Sequence, residues 1–263
     1  MKSVSLSDRD VKIMQHLSSG CSSMEDIANR YFPRNDGTGA HSKYVYKWIV
    51  VFEKAGLIAT KRFPKHISPI VALTRLGAIC ISQRLGLIPE NVRTGFPKAA
   101  ELVHDLAVAR SARRIIEDCQ QGVGITLVGL FTEPYLRRDY AFQPLRRVKK
   151  GEVFFPDYQV WMSQNSKEVV LDVEIDGNSM SRARLLRKIR HLENEILLLV
   201  PTFERLKQAY NYLDTGGKYS DILVKRIYLL EWQSFFNDGL RCEHSLDFGR
   251  RRRSVLPWIN NSS

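Results

Sequence analysis

The chain has 263 residues, 44% of them hydrophobic, which is enough for two modest cores and too apolar for a disordered polymer. Its 40 Lys and Arg against 28 Asp and Glu give a formal net charge of +12, a balance that favours a polyanionic partner, nucleic acid first. The longest apolar runs, such as EILLLV, are far too short to span a bilayer, so no membrane association is expected. The opening MKSVSLSDRD carries charges where a secretory hydrophobic region would follow, and Cys21, Cys80, Cys119 and Cys242 show no metal-ligand spacing. A cytoplasmic protein with reduced thiols is the expectation.

In chain order, Ser7 caps a first helix over residues 8–18, with Asp8 and Asp10 in its first turn and Val11, Met14 and Leu17 inward. Ser22 or Ser23 opens a second helix, SMEDIANRYF, which Pro33 ends. After the Gly-rich NDGTGA comes a third, HSKYVYKWIVVFEKAGL, closing at Gly56. Two β-like pieces, 57–63 and 67–74, flank the turn residues Pro64 and Lys65. Three helices followed by a hairpin is the order of a winged helix-turn-helix, whose third helix enters the major groove while the hairpin touches flanking phosphate. The candidate DNA contacts are Ser42, Lys43, Tyr46 and Lys47 on that helix, with Lys61, Arg62, Lys65 and His66 in the wing. A small helical domain for protein contact is the alternative. The stretch 72–87 predicts a fourth helix, and 91–97, interrupted by Gly95 and Pro97, a linker.

Residues 98–119 have the apolar spacing of a long amphipathic helix. Strand-like runs follow at 124–131, 153–162, 167–177, 195–202 and 224–232, with helices at about 180–194 and 203–214. This order predicts an α/β (α+β) mixed sheet with flanking helices. The expected division is 1–92 for the winged domain, 98–248 for the second domain and 249–263 for a basic tail.

The run LDVEIDG, 171–177, alternates Leu171, Val173 and Ile175 with Asp172, Glu174 and Asp176, the two-residue period of a strand. Glu174 and Asp176, roughly 7 Å apart on one face, can look toward Asp157 on the preceding strand. Acids so close repel unless a cation lies between them. Magnesium takes oxygen ligands of this kind and neutralises charge on a phosphodiester. On the cationic helix that follows, Arg184, Lys188 and His191 share a face, and Lys188 is the candidate for stabilising a phosphate. Singly, each residue has a plainer reading: Asp157 as a turn former, the acids as a solvated sheet face, and Arg182, Arg187 and Arg190 as a solvated cationic helix face.

The set FPD…DVEID…K resembles the core of the PD-(D/E)xK restriction-endonuclease-like nucleases. Asp176 stands where that motif has Lys, and the ExD form with lysine on the next helix is similar to the replication-relaxation family and the MobC-type relaxases of mobilizable plasmids. LTRLG after the wing, HDLAVA with His104, and GLFTEPYLRR with Glu133 extend the likeness. In that pattern an aromatic follows the lysine by one helical turn, where this chain has Leu192. The resemblance implies an N-terminal winged helix, a nuclease-like domain and Mg2+ or Mn2+ held by Asp157, Glu174 and Asp176. It implies catalysis by Asp157, Glu174 and Lys188, with Asp172 as a supporting acid. It also implies nicking at an origin of transfer or replication, with accessory mobilization or coupling proteins as partners. A non-catalytic DNA-binding regulator and a double-strand endonuclease stay open, as does the choice between a tyrosyl adduct and plain hydrolysis. His104 is open too, between core, cap and site wall.

Between Glu133 and Asp157, Arg137, Arg138, Arg146, Arg147, Lys149 and Lys150 alternate with Tyr135, Tyr140 and Phe142, the composition of a phosphate-gripping loop with aromatics for base stacking. The tail GRRRRSVLPWINNSS is a cationic run expected to be loose.

Overall fold

Ser7 starts the first helix because its hydroxyl accepts from Asp10 N at 3.3 Å while Asp10 Oδ2 accepts from Ser7 N at 2.8 Å, a reciprocal cap on two orphan donors. The computed structural model describes residues 5–34, 40, 42–64, 66–121, 125–141, 154–164, 167–177, 180–214, 227–242, 245–247 and 252–253. The described residues form a mixed α+β structure with two sheets, and the chain divides into two compact units, Met1–Ala109 and Arg110–Ser263.

The first unit runs α1 (Asp8–Ser18), β1 (Ser22–Ser23), α2 (Met24–Tyr31), α3 (Ser42–Lys54), β2 (Ile58–Lys61), β3 (Ile70–Leu73) and α4 (Arg75–Leu85). Its sheet has the order β1-β3-β2, both pairings antiparallel. Ile13, Met14 and Leu17 of α1 pack with Ile27, Val45, Trp48, Ile49 and Phe52, and full burial of each large apolar side chain is worth about 1.5–3 kcal/mol. Trp48 satisfies its indole N–H on Asp10 Oδ1 at 2.9 Å, so the capping acid also ties α3 to α1. Thr74 caps α4, accepting from Gly77 N at 3.0 Å and donating to Gly56 O at 2.5 Å. Gly77 is needed there: a Cβ would lie 1.9 Å from the Leu57 carbonyl oxygen.

The stretch expected as a linker is packed instead. Val92 is buried in the first core, Arg93 N donates to Ser18 O, Gly95 N donates to Leu73 O, and Phe96 meets Phe63 edge-on at 6.2 Å. The boundary between the units falls inside α5 (Leu102–Gln120).

In the second unit β4 (Thr126–Thr132), β5 (Tyr158–Gln164), β6 (Lys167–Ile175), β7 (Glu195–Val200), β8 (Ile227–Glu231), β9 (Ser245–Asp247) and β10 (Arg252–Arg253) form one sheet in the order β10-β9-β8-β7-β6-β5-β4. The β6–β7 and β7–β8 pairs are parallel and the others antiparallel. Helices α6 (Glu133–Ala141), α7 (Arg182–His191), α8 (Phe203–Asp214) and α9 (Trp232–Asp238) accompany it. The basic segment expected as a loop therefore begins as helix α6, and the expected loose tail contributes β10. Leu185, Leu186 and Ile189 of α7 and Leu206, Ala209 and Leu213 of α8 cover Ile196, Leu198, Val200 and Leu229 on one sheet face. On the opposite face Tyr158 donates to Ser111 Oγ of α5 at 2.9 Å.

Candidate active site

The register that pairs Tyr158 with Val173 and Gln159 with Asp172 puts Gln159, Asp172 and Glu174 on the face covered by α7, and Tyr158 on the other. Each acid of LDVEIDG is buried, and each meets a different partner. Asp172 accepts from Gln159 Nε2 at 2.9 Å and from Asn194 Nδ2 at 3.1 Å, so it fastens the turn after α7 to the sheet. Glu174, 1% exposed, accepts from Lys188 Nζ at 2.5 Å. Asp176, fully buried one residue past β6, pairs with Arg205 Nε at 2.5 Å. Arg205 also donates to Gln208 Oε1 and, at 2.6 Å, to Met180 O.

Asp157 stands at the entry to β5. Its N–H donates to Val173 O at 3.0 Å, and its Oδ2 accepts from Ile175 N at 2.7 Å, so β6 itself fixes the carboxylate. Its carbonyl accepts from Glu133 N at 3.1 Å, which brings the start of α6 to the same place. The Lys188 ammonium registers this surrounding. Burial pulls its pKa down, yet Glu174, Asp157 and Glu133 outweigh burial and leave it above the ordinary lysine value. Lys188 is thus paired with Glu174 and held charged with the help of Asp157 and Glu133, carboxylates from three separate segments.

Access to solvent grows away from Glu174: the side chains of Lys188, Glu133 and Arg137 are 13%, 30% and 56% exposed. Arg137 Nη2 binds Glu133 Oε1 at 2.5 Å, and its guanidinium lies 5.2 Å from the Phe155 ring centre. Arg138 is exposed on the same helix.

The structure therefore brings Asp157, Glu174 and Lys188 together and adds Glu133, which the sequence offered only as part of a longer likeness. It does not bring Asp176 to them. Among the described residues no group of three or more His, Cys, Asp or Glu side chains is gathered as metal ligands. Asp176, the third acid of the expected metal set, is paired with Arg205. Nothing in the sequence announced Arg205, whose partner lies 29 positions away. The donors that remain are two hard carboxylates. Magnesium or manganese uses one or two carboxylates and completes its shell with water and phosphate oxygen, so Asp157 and Glu174 fit such an ion.

In the first unit Lys43, Tyr46 and Lys47 are exposed on α3. Lys61 at the end of β2 and Arg62 after it are exposed, with the Lys61 ammonium 4.8 Å from the Phe63 ring centre. His104, in the first unit, is half-buried, 3.5 Å from Asp105 Oδ1. Leu192, where the resembled pattern has an aromatic, is buried in the core under α7. Arg146, Arg147, Lys149, Lys150, Phe142 and Lys65 lie outside the described residues. No described helix is long and apolar enough to cross a membrane. No family model, no curated protein and no solved structure matches the chain.

Proposed function

We propose that the chain is a metal-dependent DNA-nicking protein of the relaxase type, acting at an origin of transfer or replication of a mobile element. One observation carries this reading: Lys188 is ion-paired with Glu174 on β6, the same strand binds the Asp157 carboxylate through Ile175 N, and the Asp157 carbonyl accepts from Glu133 N, so residues spread over 56 positions of sequence are linked. A charged lysine against buried carboxylates is a poor arrangement for stability alone, because desolvating both partners offsets most of their attraction. It is a good arrangement for meeting a phosphate.

In this reading Asp157 and Glu174 would hold Mg2+ or Mn2+. When bound, the ion supplies positive charge at the scissile phosphate and lowers the pKa of a water. Lys188 stabilises negative charge building on the phosphate oxygens, a task its raised pKa suits because it stays protonated at neutral pH. Glu133 and Arg137 line the more exposed side, where Arg137 can receive a neighbouring phosphate. In the first unit the order of three helices and a hairpin, with Lys43, Tyr46, Lys47 and Arg62 outward, supports a winged helix that finds the site.

One observation favours a non-catalytic DNA-binding regulator: Glu174 and Asp176 each already hold a cation, as in a structural charge network. Supercoiled origin plasmid incubated with the wild type and with Glu174→Ala, in magnesium and in EDTA, separates the readings. Open-circle product that needs the metal and falls at least about a hundredfold in the variant is the expected result. Selective binding without nicking would sink the proposal in favour of the regulator, and linear product would point to a double-strand endonuclease.

A further inference from the structure

Beside the acids, the sheet face that α7 and α8 cover over β6–β8 continues across β5 to β4 with a different character. Gln159 and Trp161 of β5 share that face with Asp172 and Glu174, and the register sets Phe131 opposite Gln159 and Gly129 opposite Trp161. Trp161 is 41% exposed, an unusual place for the largest apolar side chain. Its indole N–H does not depend on solvent: it donates to Gln159 Oε1 at 2.6 Å, Gln159 Nε2 donates to Asp172, and Asp172 is held by Asn194. The ring is thereby fixed in orientation by the same network that orders the acidic strand.

Phe131 lies next to it, edge to face, with ring centres 5.6 Å apart, and Tyr135 stacks on Phe131 at 5.5 Å and 27°. Gly129 makes the row possible, since a Cβ there would come within 2.9 Å of the Phe131 ring. The row ends on α6, two residues from Glu133 and two from Arg137, which is exposed and cationic. Three aromatic rings packed in series, leading from β5 across β4 to the helix that begins at Glu133, are not what a solvated face requires.

We infer that the Trp161–Phe131–Tyr135 row is a stacking shelf for the unpaired bases of a single DNA strand, whose backbone Arg137 and Arg138 attract. The inference rests on the nicking reading for its direction, because it leads an unpaired strand past the acids. Stacking needs only π faces, so the shelf takes bases without regard to sequence. A pre-fixed indole loses little side-chain entropy on binding, which favours Trp161 as the main contact.

The test uses the full chain in EDTA, so that binding is read apart from cleavage. Oligothymidylate of about twelve nucleotides and an abasic strand of equal length are titrated by anisotropy and by tryptophan fluorescence. Wild type binds the base-bearing strand more tightly and its fluorescence is quenched. Trp161→Ala weakens oligothymidylate about tenfold and leaves the abasic strand unchanged, while Trp161→Phe keeps most of the affinity. Equal weakening of both strands, no weakening, or a Phe variant as poor as Ala overturns the shelf. Plasmid nicking by the same proteins is scored separately. A wild type that binds in this way and never nicks keeps the shelf and loses the nicking reading. A wild type that nicks but binds both strands alike does the reverse.

Discussion

Asp176 and Glu174 stand two residues apart in one acidic run, yet their removal should have different consequences. Asp176→Ala strips the partner from Arg205, whose side chain is only 5% exposed and is anchored on Gln208 and Met180. Its guanidinium cannot reach water without breaking those bonds, and an uncompensated buried charge costs about 3–5 kcal/mol. Glu174→Ala strips the partner from Lys188, which is 13% exposed and sits on a four-carbon stem that can swing its ammonium outward. The lost charge-assisted bond there is worth about 1.5–3 kcal/mol, part of it recovered by hydration. Urea unfolding followed by circular dichroism should place Asp176→Ala about 2 kcal/mol below Glu174→Ala. The double variant Asp176→Leu/Arg205→Met should return close to wild-type stability, since an apolar pair of similar volume replaces both charges. It should also keep nicking, which Glu174→Ala loses. Two results would refute the reasoning: a double variant no better than the single one, or a stable Asp176→Ala that has lost nicking and nothing else, which would return Asp176 to the metal.

Gly77→Ala should destabilise the first unit by more than the few tenths of a kcal/mol of an ordinary surface change, because its Cβ would stand 1.9 Å from a backbone oxygen that Thr74 and the hairpin hold; a thermal melt reads this, and an unchanged midpoint contradicts it. Asp118 accepts from Leu240 N at 2.7 Å and Arg114 Nη2 at 3.1 Å, but burial outweighs both and raises its pKa. A carboxyl whose folded pKa is raised favours folding most below its unfolded value of about 3.9, and that contribution is lost as pH climbs through the folded value. The stability of wild type relative to Asp118→Asn should therefore fall as pH rises from about 4 to about 7; a rising difference would mean that Arg114 and Leu240 win.

The parts of the fold that were legible in the sequence are those governed by local chemistry. Ser7 with Asp10 announced α1, and alternation announced β6. What misled was punctuation. Interleaved cations and aromatics made the segment after β4 read as a loop, yet it begins as α6, with Pro134 in the first turn, where proline costs no hydrogen bond. Gly95 and Pro97 broke the periodicity of 91–97, but Val92 and Phe96 are bound by tertiary contacts that periodicity does not see. The candidate site divides in the same way. Asp157, Glu174 and Lys188 could be read because their order and types form a pattern. Which of three equivalent acids faces the lysine is decided by Asn194 and Arg205, whose side chains arrive from other segments. Trp161 gave no signal, because exposure is a property of the assembled sheet.

The Lys188–Glu174 pair also allows a direct distinction between a working site and a relic. A divalent ion on Asp157 and Glu174 must compete with the Lys188 ammonium for Glu174, since both seek the same oxygens and repel each other. Lys188→Met removes the competitor and one positive charge while keeping the apolar stem over the strand. Affinity for Mn2+, measured by paramagnetic resonance or calorimetry, should then rise by about tenfold, the equivalent of about 1.4 kcal/mol of relieved repulsion. On the proposed reading nicking should fall over the same substitution, because the cation assigned to the phosphate is gone. Tighter metal with weaker cleavage is a combination that a purely structural ion pair does not produce: losing such a pair lowers stability and leaves Mn2+ indifferent. If Lys188→Met binds Mn2+ no better than the wild type, then Asp157 and Glu174 do not form a cation site, and the charge network of the second unit is structural.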